Sequence, residues 1–398
     1  MKKAVMYGAG NIGRGFIAQL FYQSGYETVF IDINEELVGL LNRDGSYPIY
    51  ITSGDNYEVF TVKNLRAVNG KDERAVAQEI ATADVCATAV GANILKHIAG
   101  PVARGIALRS VKKAPPLNII MCENLLDADK YFRSLVNKHL DDSEKMYFAE
   151  SVGCAEASIG RMVPAPPEHV RAINVLAVCV EPYSELPVDR AAFKGQLPDI
   201  VNLRPFEPFG YFIRRKLYMH NMTHALIAYM GYLRGYKFIW QAVADYEIRY
   251  MALGALIESA VALSKEYNAE LSGLIDFSYE LLDRFDNKLL GDTVDRVGRD
   301  TVRKLSAADR IAGPIALCLK HNINPRFIIN AAAAALKFNP ENDPASAEVA
   351  AYALEMGVSA ALNRYSDIED KHIIDTVAEL YEKMQIQTDN KWKTGNNY

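Results

Sequence analysis

The sequence lacks several features that would assign it to a specialised class of protein. Its 398 residues include only five scattered cysteines and no C-x-x-C pair, so neither a disulfide framework nor a structural zinc site is indicated. It has no run of 18 apolar residues, and the N-terminus lacks a signal-peptide core. Basic residues do not outnumber acidic ones, and the net charge is −5. We therefore expect a cytoplasmic globular protein that binds neither nucleic acid nor membranes.

The first half of the chain alternates apolar runs with helical patterns. KAVMYGAG, ETVFIDIN, DVCATAVG and LNIIMCEN read as strands, whereas IGRGFIAQLFYQSG and EELVGLLNRDG read as helices. This alternation predicts an α/β fold with a doubly wound parallel sheet. The β-rich run INVLAVCVEPY is expected to close this domain near residue 195. The later chain has helical periodicity, so we predict a mostly α-helical domain over 196–387 and a polar tail over 388–398.

A glycine-rich turn lies between the first strand and the first helix. It consists of Gly8, Ala9, Gly10, Asn11, Ile12 and Gly13. The G-x-G-x-x-G spacing permits a tight turn, close approach of a pyrophosphate and close helix–strand packing. Asp32 ends the second strand, where a carboxylate can accept hydrogen bonds from adenosine ribose hydroxyls and repels a 2′-phosphate. We predict a Rossmann-type NAD site; a nucleotide-free turn, a methyltransferase and a flavoprotein are the alternatives.

The stretch KLYMHNMTHALIAYMGYLRG begins at Lys216 and reads as a helix. At about 100° per residue, Asn221 lies about 140° and His224 about 80° around the axis from Lys216, so one broad face carries all three. In a catalytic interpretation, Lys216 takes the proton of an alcohol while the alcohol carbon gives up a hydride. The amide of Asn221 then stabilises the charge that develops on the oxygen. The histidine would then hold a substrate hydroxyl or help to place the lysine.

This stretch has two other interpretations. Lysine and asparagine are common on solvated helix faces, and His224 could be an ordinary core residue. His220 and His224 also stand four residues apart and could both bind zinc. Neither a neighbouring glutamate, as in H-E-x-x-H, nor an obvious third ligand supports a metal site.

These residues resemble a known family, the polyol-specific long-chain dehydrogenases. Its catalytic signature, K-x4-N-x2-H, matches Lys216, Asn221 and His224, and the resemblance covers nearly the whole chain except the tail. GAGNIGRGF, TAVG, VEPYSELPVD and RVGRDTVRKLS are similar to the branch that uses a phosphorylated polyol. The resemblance implies an NAD-dependent, zinc-independent oxidoreductase with its active site in a cleft between the two domains.

The resemblance also implies roles for individual residues. Lys216 would be the general base, Asn221 and Asn124 would polarise the reacting oxygen, and His224 would contact substrate hydroxyls. Asn124 follows the apolar run LNIIMC, and ligands of open α/β sheets bind beyond the carboxyl ends of strands.

The segment DRVGRDTVRKLSAADR concentrates positive charge in an acidic chain. Its cations are Arg296, Arg299, Arg303, Lys304 and Arg310. A solvated helix face with internal ion pairs is one interpretation; recognition of an anionic substrate is the other. The resemblance implies that Arg296 and Lys304 contact substrate and that Arg303 binds a phosphate group. We expect Arg299 and Arg310 to be structural partners.

Two positions depart from the family pattern. Gly160 precedes Arg161 where the family usually has an aspartate, and Arg214 with Arg215 precede Lys216 where an acidic residue is common. Loss of two carboxylates and gain of Arg214 would make the pocket more positive, unless Arg214 faces solvent.

The expected reaction is reversible oxidation of D-mannitol 1-phosphate to D-fructose 6-phosphate with NAD. A free polyol such as mannitol, another polyol phosphate and a hexuronate are alternative substrates, and a non-catalytic NAD sensor is the alternative outside enzymes. We expect a small-molecule sugar-phosphate or polyol partner and a monomer or small homo-oligomer.

Overall fold

The chain forms two compact units. The computed structural model describes residues 1–125 and 127–385, so the predicted polar tail lies outside the described residues. The first unit is Met1–Phe209, and the second begins at Gly210. Each unit is built from a different class of secondary structure.

The first unit contains all of the named strands within the described ranges. In chain order they are β1 (Lys2–Tyr7), β2 (Tyr26–Asp32), β3 (Tyr47–Ser53), β4 (Asn56–Val62), β5 (Leu65–Asn69), β6 (Val85–Thr88), β7 (Leu117–Met121), β8 (Val152–Glu156), β9 (Val178–Val180), β10 (Leu186–Asp189) and β11 (Leu203–Phe206). Its helices are α1 (Ala18–Gln23), α2 (Glu35–Asp44), α3 (Glu73–Ala81), α4 (Leu95–Lys112), α5 (Ala128–Asn137), α6 (Asp142–Ser151) and α7 (Glu168–Ile173).

Six of these strands form a parallel sheet in the order β5-β2-β1-β6-β7-β8. The central strand β1 pairs in parallel with β2 and β6, for example Val5 with Val29 and with Cys86. All three of these side chains are buried, as expected for a parallel sheet covered on both faces. The strand order changes direction at β1, which confirms the predicted doubly wound, Rossmann-type fold.

Two smaller sheets were not predicted from the sequence. β3 pairs antiparallel with β4 and parallel with β9, so the run INVLAVCVEPY contributes to this side sheet and not to the main one. The strands β10 and β11 form a parallel pair. This pair explains why the first unit extends past the expected boundary at residue 195. The backbone N–H of Val201 also donates to the Ser24 hydroxyl at 2.8 Å, which fixes the chain after 195 to the first unit.

The second unit is helical throughout its named elements. Its helices are α8 (Gly210–Arg215), α9 (Met222–Leu233), α10 (Ile239–Ala244), α11 (Tyr246–Tyr267), α12 (Leu271–Phe285), α13 (Val294–Gly298), α14 (Thr301–Leu305), α15 (Ala312–Lys320), α16 (Ile329–Ala335), α17 (Pro344–Met356), α18 (Val358–Ser366) and α19 (Lys371–Lys383). This arrangement confirms the predicted helical second half. None of the helices in 1–125 and 127–385 combines the length and apolar character needed to span a membrane.

Helix α9 forms the core of the second unit. It is apolar on nearly all sides and packs against α10, α11, α13 and α16. Two long helical patterns in the sequence are interrupted. Asp245 accepts hydrogen bonds from the first N–H groups of α11 and so starts a new helix, while Gly357, with φ of 84°, separates α17 from α18.

Candidate active site

The glycine-rich turn has the backbone geometry of a dinucleotide site. Gly8 has φ of 100°, and a Cβ there would lie 2.6 Å from the carbonyl oxygen of Ala89. A Cβ on Gly13 would collide with the carbonyl oxygen of Gly8. Gly10 is exposed, and no atom lies within 4 Å of the place where its Cβ would be. The turn thus needs Gly8 and Gly13 for its own packing, whereas Gly10 leaves open space beside the backbone.

Asp32 is bonded to this turn. Its carboxylate accepts hydrogen bonds from the backbone N–H of Ala9 at 2.8 Å and of Asn34 at 3.0 Å. The side chain is only half-buried, and each carboxylate oxygen has a second lone pair available. The open space at Gly10 and the partly accessible carboxylate fit the pyrophosphate and ribose of a dinucleotide.

The other residues of the turn are held by the first unit. The Asn11 amide donates to the carbonyl oxygen of Pro164 at 3.5 Å, and Ile12 packs against the hydrophobic core. The buried Arg14 donates from Nε to the carbonyl oxygen of Ala9 at 2.7 Å, and burial lowers its pKa. We did not anticipate this role of Arg14, because the direction of a side chain that follows the motif cannot be read from the motif.

Two residues at the carboxyl end of β7 have different environments. Glu123 is buried, and its carboxylate accepts hydrogen bonds from the backbone N–H of Val90 at 3.1 Å and of Gly91 at 2.7 Å. It therefore fixes the loop that follows β6. Asn124, the predicted active-site amide, comes next and is exposed. Its place after a parallel strand is as expected, and its role stays a prediction.

Lys216–Asn221 does not continue α8 as a regular α-helix. These residues form a wide π-type turn between α8 and α9, and the backbone N–H of Met222 donates to Leu217, five residues back. In such a turn, residues five apart lie about one turn apart and close to the same face. The predicted angle of about 140° between Lys216 and Asn221, which assumed a regular α-helix, is therefore wrong. The π-type turn brings these two half-buried residues closer to one face.

His224 lies in the first turns of α9 beside Asp292. The His224 Nε2 atom is 3.6 Å from Asp292 Oδ2, and the imidazole stacks on the ring of Phe285 with centroids 4.7 Å apart. Burial lowers the pKa of His224 well below its ordinary value, and the charges of Arg296 and Lys304 lower it further. The lowered pKa favours the neutral imidazole, a form that can both donate and accept a hydrogen bond.

Asp292 connects His224 to one of the predicted substrate-binding residues. The carboxylate of Asp292 is buried and accepts a hydrogen bond from the Arg296 guanidinium, which is itself half exposed. Burial raises the pKa of Asp292, while Arg296 opposes this shift. Sequence analysis missed Asp292, although it stands four residues before Arg296 and such pairs are common on helices.

Of the predicted substrate-binding cations, Arg296 and Lys304 both lie near His224, whereas Arg303 is bound to aspartates. Lys304 is buried and its ammonium group donates to the carbonyl oxygen of Arg299. Burial, together with the charges of Arg310 and Arg303, lowers the pKa of Lys304 to about 7. The charges of Arg296 and Lys304 both lower the pKa of His224, which is expected if the three side chains belong to one site.

Arg303, the expected phosphate ligand, is placed differently. Its side chain is 45% exposed and forms ion pairs with Asp300 at 2.7 Å and Asp309 at 3.4 Å. Both carboxylates must be displaced, or shared, before its guanidinium can bind a phosphate in a bidentate manner.

The two departures from the family pattern lie at Gly160 and Arg214. Gly160 packs closely on Tyr183, since a Cβ at Gly160 would lie 3.1 Å from the tyrosine ring. Arg161 is buried, and its guanidinium donates to the carbonyl oxygen of Glu181 at 2.9 Å and the side chain of Gln19 at 2.6 Å. Arg214 forms an ion pair with Glu266 at 3.4 Å and lies over the ring of Tyr267. Arg214 is exposed, and Glu266 also bonds Lys320 at 2.6 Å and His321 at 2.8 Å, so the effect of Arg214 on the charge of the substrate pocket stays a prediction.

The environment of His220 and His224 bears on the zinc interpretation. Phe285 contacts both imidazoles, edge-on to His220 at 5.4 Å and stacked on His224. Within the described part of the chain, no three His, Cys, Asp or Glu side chains are grouped so that they could hold a metal ion.

Comparison with known proteins assigns the chain to a family. The mannitol dehydrogenase Rossmann domain matches residues 2–202, and the mannitol dehydrogenase C-terminal domain matches residues 209–385. A mannitol-1-phosphate 5-dehydrogenase of Brevibacillus brevis is 39% identical over 375 residues, covering 94% of this chain and 96% of that protein. The enzyme of the same name from Shouchella clausii is 37% identical over 378 residues, covering 94% and 99%.

Solved structures share the fold. D-sorbitol dehydrogenase in substrate-free form has a TM-score of 0.79 at 16% identity, covering 95% of this chain and 92% of that chain. The ternary complex of Pseudomonas fluorescens mannitol 2-dehydrogenase with NAD and D-mannitol has a TM-score of 0.71 at 15% identity, covering 96% and 94%. With the family matches, they confirm the predicted fold class. The chain belongs to the mannitol dehydrogenase family of polyol oxidoreductases.

Proposed function

We propose that the protein catalyses the reversible, NAD-dependent oxidation of D-mannitol 1-phosphate to D-fructose 6-phosphate, without zinc. The observation that carries the proposal is the buried chain of contacts after Lys216, in which His224 lies 3.6 Å from Asp292 and Asp292 accepts a hydrogen bond from Arg296. This combination suits a substrate that has both hydroxyls and an anionic group. The names of the two relatives from Brevibacillus and Shouchella agree with it.

The first unit would hold the cofactor. The pyrophosphate would bind beside Gly10 at the glycine-rich turn, and the adenosine ribose would donate hydrogen bonds to Asp32. Bound NAD supplies the acceptor for the hydride that leaves the substrate carbon. The negative charge of Asp32 disfavours a ribose 2′-phosphate, so NAD is preferred to NADP.

The second unit would hold the substrate and move its proton. Lys216 takes the proton from the reacting hydroxyl in the oxidation and returns it in the reduction of the ketose. Asn221 donates a hydrogen bond to the oxygen as charge develops on it. His224 binds a neighbouring hydroxyl as a neutral imidazole.

The cations of the second unit would select an anionic substrate. Arg296 is half exposed and retains N–H groups beyond the one bonded to Asp292, so it can reach the substrate directly. Lys304 adds charge where burial makes electrostatic attraction strong. Arg303 stays a predicted phosphate ligand, on the condition that it is released from its two aspartates.

A hexuronate is the second candidate substrate, because the same cations suit a carboxylate. The test is NADH oxidation with D-fructose 6-phosphate beside fructose, fructuronate and tagaturonate, each at several concentrations. We expect kcat/KM to be highest for fructose 6-phosphate. Higher kcat/KM with either uronate would overturn the phosphate assignment and leave the dehydrogenase assignment standing. A protein that binds NADH but turns over none of the four would be a sensor.

A further inference from the structure

Arg310 differs from the other arginines of its segment by being both buried and fixed. Only 10% of its side chain is exposed. Asp309 Oδ1 accepts hydrogen bonds from the Arg310 backbone N–H at 2.6 Å and from its Nε at 2.7 Å. One carboxylate oxygen therefore holds both the main chain and the inner edge of the guanidinium.

The two Nη nitrogens form the outer edge of this guanidinium. Within residues 1–125 and 127–385, neither Nη nitrogen of Arg310 has a hydrogen-bond partner, since the bond from Nε is the one that its side chain makes. Among the described residues, neither Nη nitrogen of Arg310 belongs to the fully buried atoms without a partner, so both are accessible to a ligand. Two preoriented donors of this kind match the geometry of a phosphate, which accepts two parallel N–H bonds.

The position of Arg310 also joins it to the candidate active site. Its positive charge acts on His224 and lowers the pKa of Lys304. Asp309 contributes to both arginines: its Oδ1 bonds Arg310 and its Oδ2 lies 3.4 Å from Nη1 of Arg303. Arg303 has a second carboxylate partner, Asp300, whereas Asp309 is the one carboxylate that pairs with Arg310 in the described part of the chain.

We propose that Arg310 binds the phosphate group of the substrate through its two Nη nitrogens and thereby sets the preference for a phosphorylated polyol over a free one. This inference rests on the proposed function and names the residue that determines its substrate class. Fixation of the guanidinium by Asp309 removes the cost of ordering it when the substrate binds. Arg303, exposed and paired twice, reaches the phosphate only after release from its two aspartates, so Arg310 makes the principal contact.

The experiment compares the ratio of kcat/KM for D-mannitol 1-phosphate to kcat/KM for D-mannitol in four proteins. These are the wild type, Arg310→Lys, Arg303→Ala and Arg299→Ala. Lysine keeps the charge beside Asp309 and removes the planar fork. Arg299→Ala is the matched control, because it removes one exposed arginine of the same segment.

We expect Arg310→Lys to lower the ratio by about 10- to 100-fold, the effect of losing a hydrogen bond to a charged group. Inhibition of mannitol oxidation by inorganic phosphate should weaken in the same variant. Arg303→Ala should lower the ratio by less than about fivefold and Arg299→Ala by less than that, since exposed charges contribute little.

Each contrary result has a distinct meaning. A wild-type preference that survives Arg310→Lys overturns the assignment to Arg310. Loss of the preference in Arg303→Ala overturns it as well, even if Arg310→Lys does not fold, and restores Arg303 as the phosphate ligand. A wild type with no preference for the phosphorylated polyol refutes the proposed function itself.

Discussion

The two units of this protein prepare for chemistry by different means. In the first unit the glycine-rich turn presents backbone groups, and its conformation is enforced by Gly8 and Gly13 together with the carboxylate of Asp32. In the second unit, charged and polar side chains are brought together from several helices and loops, and many of them are buried. His224 comes from α9, Asp292 from the loop before α13, and Lys304 from α14.

This difference determines which substitutions each unit can accept. A site made of backbone depends on the absence of side chains, so its essential residues are small and adjacent in sequence. A site made of buried charges depends on compensation, because each unpaired buried charge is costly. Asp292 beside Arg296 and Asp309 beside Arg310 provide that compensation. Substitutions in each unit should therefore affect cofactor binding and catalysis separately.

Replacement of Lys216 by alanine should abolish catalysis without affecting the cofactor. The variant lacks the proposed general base, so kcat for NADH oxidation with fructose 6-phosphate should fall by about 10²- to 10⁴-fold. The Kd for NADH, measured by fluorescence, should stay unchanged because the first unit is intact. Lys288→Ala, which removes an exposed lysine of the same unit, is the control. A kcat within a few-fold of wild type would exclude Lys216 as the base.

Alanine at Gly10 and at Gly13 should separate cofactor binding from folding. A methyl group at Gly10 meets no atom of the chain but enters the space predicted for the pyrophosphate. We expect its Kd for NADH to rise by about tenfold or more, or about 1.4 kcal/mol, with an unchanged Tm. A methyl group at Gly13 meets the Gly8 carbonyl, so Tm should fall, with a loss of about 1–3 kcal/mol. Equal Tm values for both variants would contradict this account of the turn.

Asparagine at position 292 should weaken the substrate site while sparing the cofactor site. The amide is the same size as the carboxylate but cannot offset the charge of Arg296, so we expect kcat/KM for fructose 6-phosphate to fall by about 10- to 100-fold. The Kd for NADH should not change. A general loss of structure would instead weaken NADH binding as well. Asp283→Asn removes a carboxylate that is 78% exposed and bonded to Arg249, and serves as the control. Equal effects of the two substitutions would remove Asp292 from the positioning role.

The smallest effect concerns the charge of Lys304. Because burial lowers its pKa to about 7, the free enzyme loses this charge as the pH rises through that value. Binding of the dianionic substrate favours the protonated form, so binding above about pH 7 should take up part of a proton. Calorimetry in two buffers of different ionisation enthalpy measures this uptake. Lys304→Met should abolish it, and an equal uptake by that variant would assign the proton to another group.

The sequence was sufficient for the features that depend on neighbouring residues. The turn from Gly8 to Gly13 and Asp32 at the end of β2 follow from local spacing, and the alternating strand and helix patterns predicted the parallel sheet. Two strands of the side sheet, β3 and β4, were missed. β4 is largely exposed and buries Val62 alone, whereas β3 buries Tyr47 and Ile49 but contains Pro48, which is atypical of a strand interior.

The remaining features depend on the tertiary structure. The hydrophobic pattern around Lys216 is the same for an α-helix as for the π-type turn, so the relative angle of Lys216 and Asn221 could not be predicted. Asp292 and Arg310 lie outside the signature motif, and their importance follows from burial and from their partners. For Arg303 the motif predicted a phosphate ligand, but the structure pairs its side chain with two aspartates.

One paired measurement tests most directly whether the first unit binds the cofactor and the second unit transfers the proton. The Kd for NADH and kcat at saturating NADH and fructose 6-phosphate should be measured for Lys216→Ala and Gly10→Ala in parallel with the wild type. We predict that Lys216→Ala loses kcat and keeps its Kd, whereas Gly10→Ala has a weakened Kd and retains most of its kcat. If Gly10→Ala lost kcat at saturation, or Lys216→Ala lost NADH binding, the assignment of cofactor binding to one unit and proton transfer to the other would be contradicted.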